Sequence, residues 1–185
     1  MKSVIASLKS VSPYTQGRFH NTPKIEKESH DDYEQRTWRE RTHVDKKGVV
    51  FIPPMAFKNC LAEAAKYLSI QIPGKGKSTY TKHFEAGVMV MDPVSLGVNK
   101  SKVDGLTLFV PADGRREGSK RVLKTFPTIQ EWEAEVQFYI LDETITEEVF
   151  KYHLDQAGKF IGVGSFRPRN NSFHGRFEVL GIKWQ

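Results

Sequence analysis

The stretch Glu131–Ala157, EWEAEVQFYILDETITEEVFKYHLDQA, decides how the rest of the chain is read. Its first part sets Trp132, Ala134, Val136, Phe138 and Ile140 on one side and Glu131, Glu133, Glu135, Gln137 and Tyr139 on the other. Alternation of period two marks a strand with one covered and one wet face. The period then changes. Thr144 and Glu147 have the spacing of a capping box, and Val149, Phe150, His153, Leu154 and Ala157 form one apolar helical stripe that Gly158 is expected to end. His153, lying on that stripe, reads as a core histidine.

Working outward, KFIGVG and the loop SFRPRNNSFHG lead to a closing strand, RFEVLGIKW. Towards the N-terminus, SVIASLKSV alternates Val4, Ala6 and Leu8 against Ile5 and Ser7, and is read as the first strand. From Pro54 onward Phe57, Leu61, Ala64, Ala65 and Leu68 make the stripe of an amphipathic helix, with Lys58, Glu63 and Lys66 outside. EAGVMVMDPV follows as a buried strand. The order strand, helix, strand, strand, helix, strand predicts an α+β fold with a ferredoxin-like (RRM-like) βαββαβ core. One domain over 1–185 is expected, with two long charged insertions at about 12–50 and 92–128. In the first, YEQRTWRERTHV is expected to be a polar strand forming a ribbon with GVVFIP. In the second, Asp113-Gly114 is the expected turn of a hairpin, and basic residues outnumber acidic ones.

The segment IPGKGKSTYTKHF, Ile72 to Phe84, ends its glycine run as a nucleotide-binding P-loop does, but Gln71 stands where the first glycine of that motif belongs. The expected order of helix, loop, strand is also the reverse of what a P-loop needs. Its lysines therefore call for another anion. A formal charge of +6 over 185 residues points the same way, towards a polyanionic partner. The single cysteine, Cys60, excludes an internal disulfide and a cysteine-based zinc site, and sits among helix residues as a core thiol. No apolar stretch approaches the roughly 18 to 20 residues of a membrane span, and Lys9 interrupts the apolar start that a signal peptide would need. A cytoplasmic protein with no membrane partner is expected.

Three passages and the element order resemble one family. LKSVSPYTQGR resembles the first strand and turn of the RAMP superfamily of CRISPR-associated proteins, and VVFIPPMAFKNCLAEAA resembles the opening of its first helix. IGVGSFRPRNNSFHGRFEVLGIKW resembles its glycine-rich loop and last strand. Within the superfamily the likeness is to the Cas-seven-like backbone subunits that coat a guide RNA. The chain is short for such a subunit, and its last loop is leaner in glycine and stiffened by Pro168, which fits a divergent relative, including one borne by a phage or mobile element.

The resemblance implies single-stranded RNA as partner, copies of the chain side by side along it, other CRISPR effector subunits nearby, and no cofactor. Holding such a strand requires close backbone approach, cations for phosphates and rings for bases. Gly74, Gly76 and Gly164 offer the first; Lys75, Lys77, Lys82, Arg167, Arg169 and Arg176 the second; Tyr80, Phe166 and Phe173 the third. Arg18 and His20 after the first strand, Arg115, Arg116 and Arg121 in the second insertion, and Asn170 complete the candidate set. ADGRREGSKR is the counterpart of a thumb-like hairpin. Some relatives cut target RNA with an acidic loop residue, and His30-Asp31-Asp32 lies in a comparable region. A metal-dependent ribonuclease needs several converging ligands, however, and Asp31 and Asp32 read better as a loop balanced by Lys24, Lys27 and Arg36. A binding protein rather than an enzyme is expected, the alternatives being a single-stranded-DNA-binding or annealing protein and a ribonuclease using Asp31 or Asp32.

Overall fold

A computed structural model describes residues 1–112 and 120–185. The strands are β1 (Lys2–Ser10), β2 (Tyr14–Thr15), β3 (Val49–Ile52), β4 (Val88–Met89), β5 (Val94–Asn99), β6 (Asp104–Pro111), β7 (Arg121–Ile129), β8 (Glu133–Ile140) and β9 (Phe177–Trp184). The helices are α1 (His30–Thr37), α2 (Pro54–Leu68), α3 (Thr81–Gly87) and α4 (Glu147–Gln156). The fold class is α+β.

Four strands form an antiparallel sheet in the order β4-β8-β1-β9. Opposite Val4 and Ala6 stand Phe138 and Val136 on one side and Trp184 and Ile182 on the other, so the alternating apolar residues share one face. Phe57, Leu61, Ala64 and Ala65 of α2 and Phe150 and Leu154 of α4 complete that core. Each fully buried Phe or Leu contributes roughly 1.5–3 kcal/mol of transfer free energy. The opposite face of the sheet is a polar ladder of Lys9, Glu133, Glu135, Gln137, Glu178 and Lys183, with Lys9 paired to Glu133. Pairing of β1 with β9 slips between Ser7 and Leu8, so that Leu180 is an extra residue bulged from the edge strand.

Several expectations need correction. Residues 30–41 form no strand: they are α1 followed by a 3-10 turn, Trp38–Arg41. The reason is local, because the Ser29 hydroxyl accepts the Asp32 N–H at 3.1 Å and caps the helix, while Asp31 and Asp32 sit in its first turn. Asp31 and Asp32 are thus in a helix, and Arg36 pairs with Glu28 instead. β3 is a strand whose main partner is β5, and of the expected ribbon only the end survives, as an antiparallel bridge between Val44 and Val50. Of the strand expected over residues 85–94, the first three residues close α3 and β4 is only two residues long. The cap of α4 is Thr146, whose hydroxyl accepts the Val149 N–H, rather than Thr144. Gly158 does not end that helix. The chain continues through a π-helical turn, Ala157–Ile161, where a Cβ on Gly158 would lie 2.1 Å from the Phe177 carbonyl oxygen.

The second insertion folds back as the antiparallel pair β6-β7, and β2 adds to it in the order β2-β7-β6. The expected Asp113-Gly114 turn lies outside the described residues. α1 packs along the open side of β7. The Thr125 N–H is taken by Glu34 and the Thr125 carbonyl by Arg41, so the strand edge is satisfied by side chains. Glu34 and Arg41 form a bidentate ion pair. Burial works against the Glu34 charge, but the Arg41 and Thr125 hydrogen bonds outweigh it and hold its pKa below the usual carboxylate range.

Candidate nucleic-acid interface

The site is built on the loop from Gly162 to Gly175, and the glycines explain its shape. Gly164 (φ 81°) and Gly175 (φ 75°) both occupy the left-handed region. A Cβ on Gly164 would fall 2.5 Å from the Thr15 carbonyl oxygen, and one on Gly175 would fall 1.8 Å from that of Val163. The loop is therefore pressed directly onto β2, where the Ser165 N–H donates to Thr15 and the Gly175 N–H to Pro13. Thr15 Oγ1, Thr128 Oγ1 and His174 Nδ1 form a buried cluster beneath it, with 2.6 Å between Thr15 and His174. Burial lowers the His174 pKa and so favours the neutral ring.

Clamped this way, the loop forms one wall of a groove of about 1020 Å³. Phe166, Arg167 and Asn170 line that wall. The segment after β2 supplies Arg18, Phe19 and His20; the first two turns of α2 supply Met55, Ala56 and Asn59; the β6-β7 pair supplies Val110, Lys124 and Phe126. Phe126 and Phe166 meet edge to face at 4.9 Å, joining hairpin to loop. Phe19 is 87 % exposed beside Arg18, and His20 stacks over Tyr33 at 6.3 Å. Burial and the nearby Arg41 charge lower the His20 pKa, which favours the neutral ring. Cations and flat rings thus face one channel, the combination that holds a sugar-phosphate backbone and its bases.

Of the residues expected from sequence, the groove gathers Arg18, His20, Phe166, Arg167 and Asn170. Arg169 adjoins it in a second cavity with Arg167 and Asn170. Both arginines face Glu63, with Arg167 donating to its carboxylate at 3.0 Å and Arg169 3.9 Å away. Lys75, Lys77 and Lys82 are exposed on the loop between α2 and α3 or the start of α3, and do not line this groove. Tyr80 cannot stack on a base: it is buried against Phe84 and His153. Arg176 is also taken up elsewhere, donating to the carbonyls of Lys159 and Phe173. Phe173 is exposed but packs on His174 away from the groove. Arg121 shares strand parity with Leu123, opposite to Lys124 and Phe126, and so projects from the other face of β7. Arg115 and Arg116 lie outside the described residues.

Lys124 and Phe126 were the lining residues sequence reasoning passed over, although their i, i+2 spacing in RVLKTFPTI already put them on one face. Phe19 was equally legible beside Arg18. Cys60 and His153 are buried as expected, and burial drives the Cys60 pKa far up, which keeps the thiol protonated. Among the described residues no group of three or more His, Cys, Asp or Glu side chains is placed to hold a metal ion, and no helix is long and apolar enough to cross a membrane.

No protein-family profile and no curated protein matches the sequence. Solved structures do share its fold. One is a chain of the type III-B Cmr-beta bound to cognate target RNA (TM-score 0.52, 12 % identity), where the likeness covers 99 % of this chain and 60 % of that one. Another is Cmr6 from Pyrococcus furiosus (TM-score 0.50, 14 % identity), with 96 % of this chain and 97 % of that one covered. The resemblance read from the sequence therefore holds at the level of structure: this chain has the fold of the RAMP, Cas-seven-like subunits of type III-B CRISPR complexes.

Proposed function

We propose that the chain is a CRISPR-associated RNA-binding subunit that holds single-stranded RNA, a guide strand in the first instance, in the groove between the Gly162–Gly175 loop and the β6-β7 pair. The observation that carries this reading is the clamp of that loop onto β2, which aims Phe166, Arg167 and Asn170 at the same channel as Arg18, Phe19, Lys124 and Phe126. We read the sheet order β4-β8-β1-β9, with α2 and α4 on one face, as a ferredoxin-like core. In an RRM the helix-free sheet face binds RNA through aromatics. Here that face presents Glu133, Glu135 and Glu178 against Lys9 and Lys183, an arrangement that repels phosphate, so the insertions take over the task. The role is one of binding and not of catalysis: Asp31 and Asp32 serve the first turn of α1, with Asp32 accepting the Ser29 hydroxyl at 2.6 Å.

Side-by-side association of copies belongs to the same proposal. Phe109 and Leu123 stand opposite each other on the outer face of the β6-β7 pair and are both exposed, giving an apolar patch on the arm that reaches furthest from the core strands in sequence. The test is to purify the protein without nuclease treatment and to identify any bound nucleic acid by size and ribonuclease sensitivity. Ribonuclease-sensitive material of uniform length is expected, together with weaker sedimentation of the complex when Phe109→Ser and Leu123→Ser are combined. Purification free of nucleic acid, with no binding of added single-stranded RNA, overturns the reading; a strict preference for single-stranded DNA would replace it with an annealing role.

A further inference from the structure

Met55, Asn59, Glu63 and Tyr67 recur at intervals of four along α2 and so form one row on its surface, spanning about 18 Å from first to last at ~1.5 Å per residue. Met55 and Asn59 line the main groove. Glu63 and Tyr67 line the second cavity, of about 620 Å³, which shares Arg167 and Asn170 with the first. The two spaces are thus consecutive along one helix. At the far end the Tyr67 ring lies 5.7 Å from that of Phe160 at an angle of 34°, with the two residues 59 % and 46 % exposed. Two large rings held together in water form an open stacking platform. The second cavity also presents Lys66 and Arg169, against the carboxylate of Glu63.

We infer that a single RNA strand leaving the groove continues along the outer row of α2, with bases stacked on Tyr67 and Phe160 and phosphates held by Lys66 and Arg169. This rests on the reading of the groove given above. The chemistry selects the ligand: a flat apolar platform ringed by cations suits a chain of bases joined by phosphates, whereas an apolar protein surface would strand those cations against it. Glu63 has a defined part. It neutralises Arg167 and Arg169 in the absence of RNA, and phosphate replaces it when the strand arrives. Lys66, expected from the sequence on the outer side of the helix, is exposed there and belongs to this path.

The test compares strands of about four nucleotides, enough for the groove, with strands of about twelve, enough for groove and platform. Binding is read by fluorescence anisotropy for the wild type, the double variant Tyr67→Ala/Phe160→Ala, and the aromatic rescue Tyr67→Trp/Phe160→Trp, with thermal unfolding to show that all three are folded. The alanine variant is expected to lose about ten-fold or more on the long strand and less than about two-fold on the short one, and the tryptophan variant to bind both as the wild type does. Equal affinity of wild type and alanine variant for the long strand overturns the path. Equal losses on both lengths also overturn it, since the damage would then lie in the groove. A wild type that binds neither length removes the reading of the groove itself.

Discussion

Two loops of this chain, Ile72–Tyr80 and Gly162–Gly175, have nearly the same ingredients: glycines, cations and a ring or two. They are built differently. A Cβ placed on Gly74 or Gly76 meets no described atom within 4 Å, whereas on Gly164 or Gly175 it collides with backbone. The first loop closes on itself through the Gln71–Thr79 bridge and sends its lysines to solvent, and its one ring, Tyr80, turns into the core. The second is wedged onto β2, so its side chains inherit the rigidity of a strand. Glycine in the first loop merely permits a turn. In the second it removes an obstacle between two pieces of backbone, and that is what fixes Phe166, Arg167 and Asn170 in space.

The difference can be broken most forcefully by substitution of the glycines. Gly175→Ala should cost about 2–5 kcal/mol, combining ~1–2 for a left-handed alanine with ~1–3 for overlap with Val163. Gly74→Ala should cost only about 1–2 kcal/mol, from backbone conformation alone. Urea unfolding of both variants checks this, and comparable losses would mean that the wedge carries no special weight. The next effect is on binding. Arg167→Gln with Arg169→Gln should weaken single-stranded RNA binding by about 10- to 100-fold, while Lys75→Gln with Lys77→Gln should change it by less than about three-fold. Anisotropy titrations at one fixed salt concentration decide the matter, and equal losses would point to diffuse attraction by net charge.

The smallest expected effect is in pH. Burial lowers the His174 pKa below its unfolded value, so its contribution to stability is full above the ordinary histidine range and is lost as pH falls through that range. His20, His43 and His153 are lowered too, with burial the first cause in each. Stability of the wild type should therefore fall as the solution is acidified from pH 7.5 to 5.5. His174→Gln, which keeps a hydrogen-bonding group beside Thr15, should reduce that dependence and blunt the matching loss of RNA binding. The same change at His83 of α3, which is hydrogen-bonded to Asp142, should leave binding at pH 5.5 as it is in the wild type.

Much of the sheet was legible because Val4, Ala6, Leu8, Val136, Phe138 and Ile140 alternate without interruption, and one buried face dictates such a pattern. α2 was legible through its stripe and through Pro54 at its start. α1 was not: its residues are polar all round, and the signal that mattered was the short Ser29-x-x-Asp32 cap rather than any period. α3 was missed because its few residues adjoin Val88 to Val90, whose β-branched character dominated the reading. In the candidate site, Arg18, His20, Phe166, Arg167 and Asn170 were found through composition and the family resemblance. The demotion of Tyr80 and Arg176 could come only from long-range packing, since nothing near them in sequence announces the core or the carbonyls that claim them.

The bulge at Leu180 bears on how copies of this chain can meet. An edge strand with a regular ladder invites another edge, and two such molecules can polymerise through backbone hydrogen bonds alone, whatever RNA is present. At Leu180 the ladder of β9 slips by one residue and the strand bends, with an exposed leucine standing where a flat partner would have to lie. Growth by sheet extension is thereby discouraged on that side. Under the proposed side-by-side association, contact between copies would fall to the β6-β7 arm and to the RNA, and the nucleic acid rather than the protein would set the length of an array.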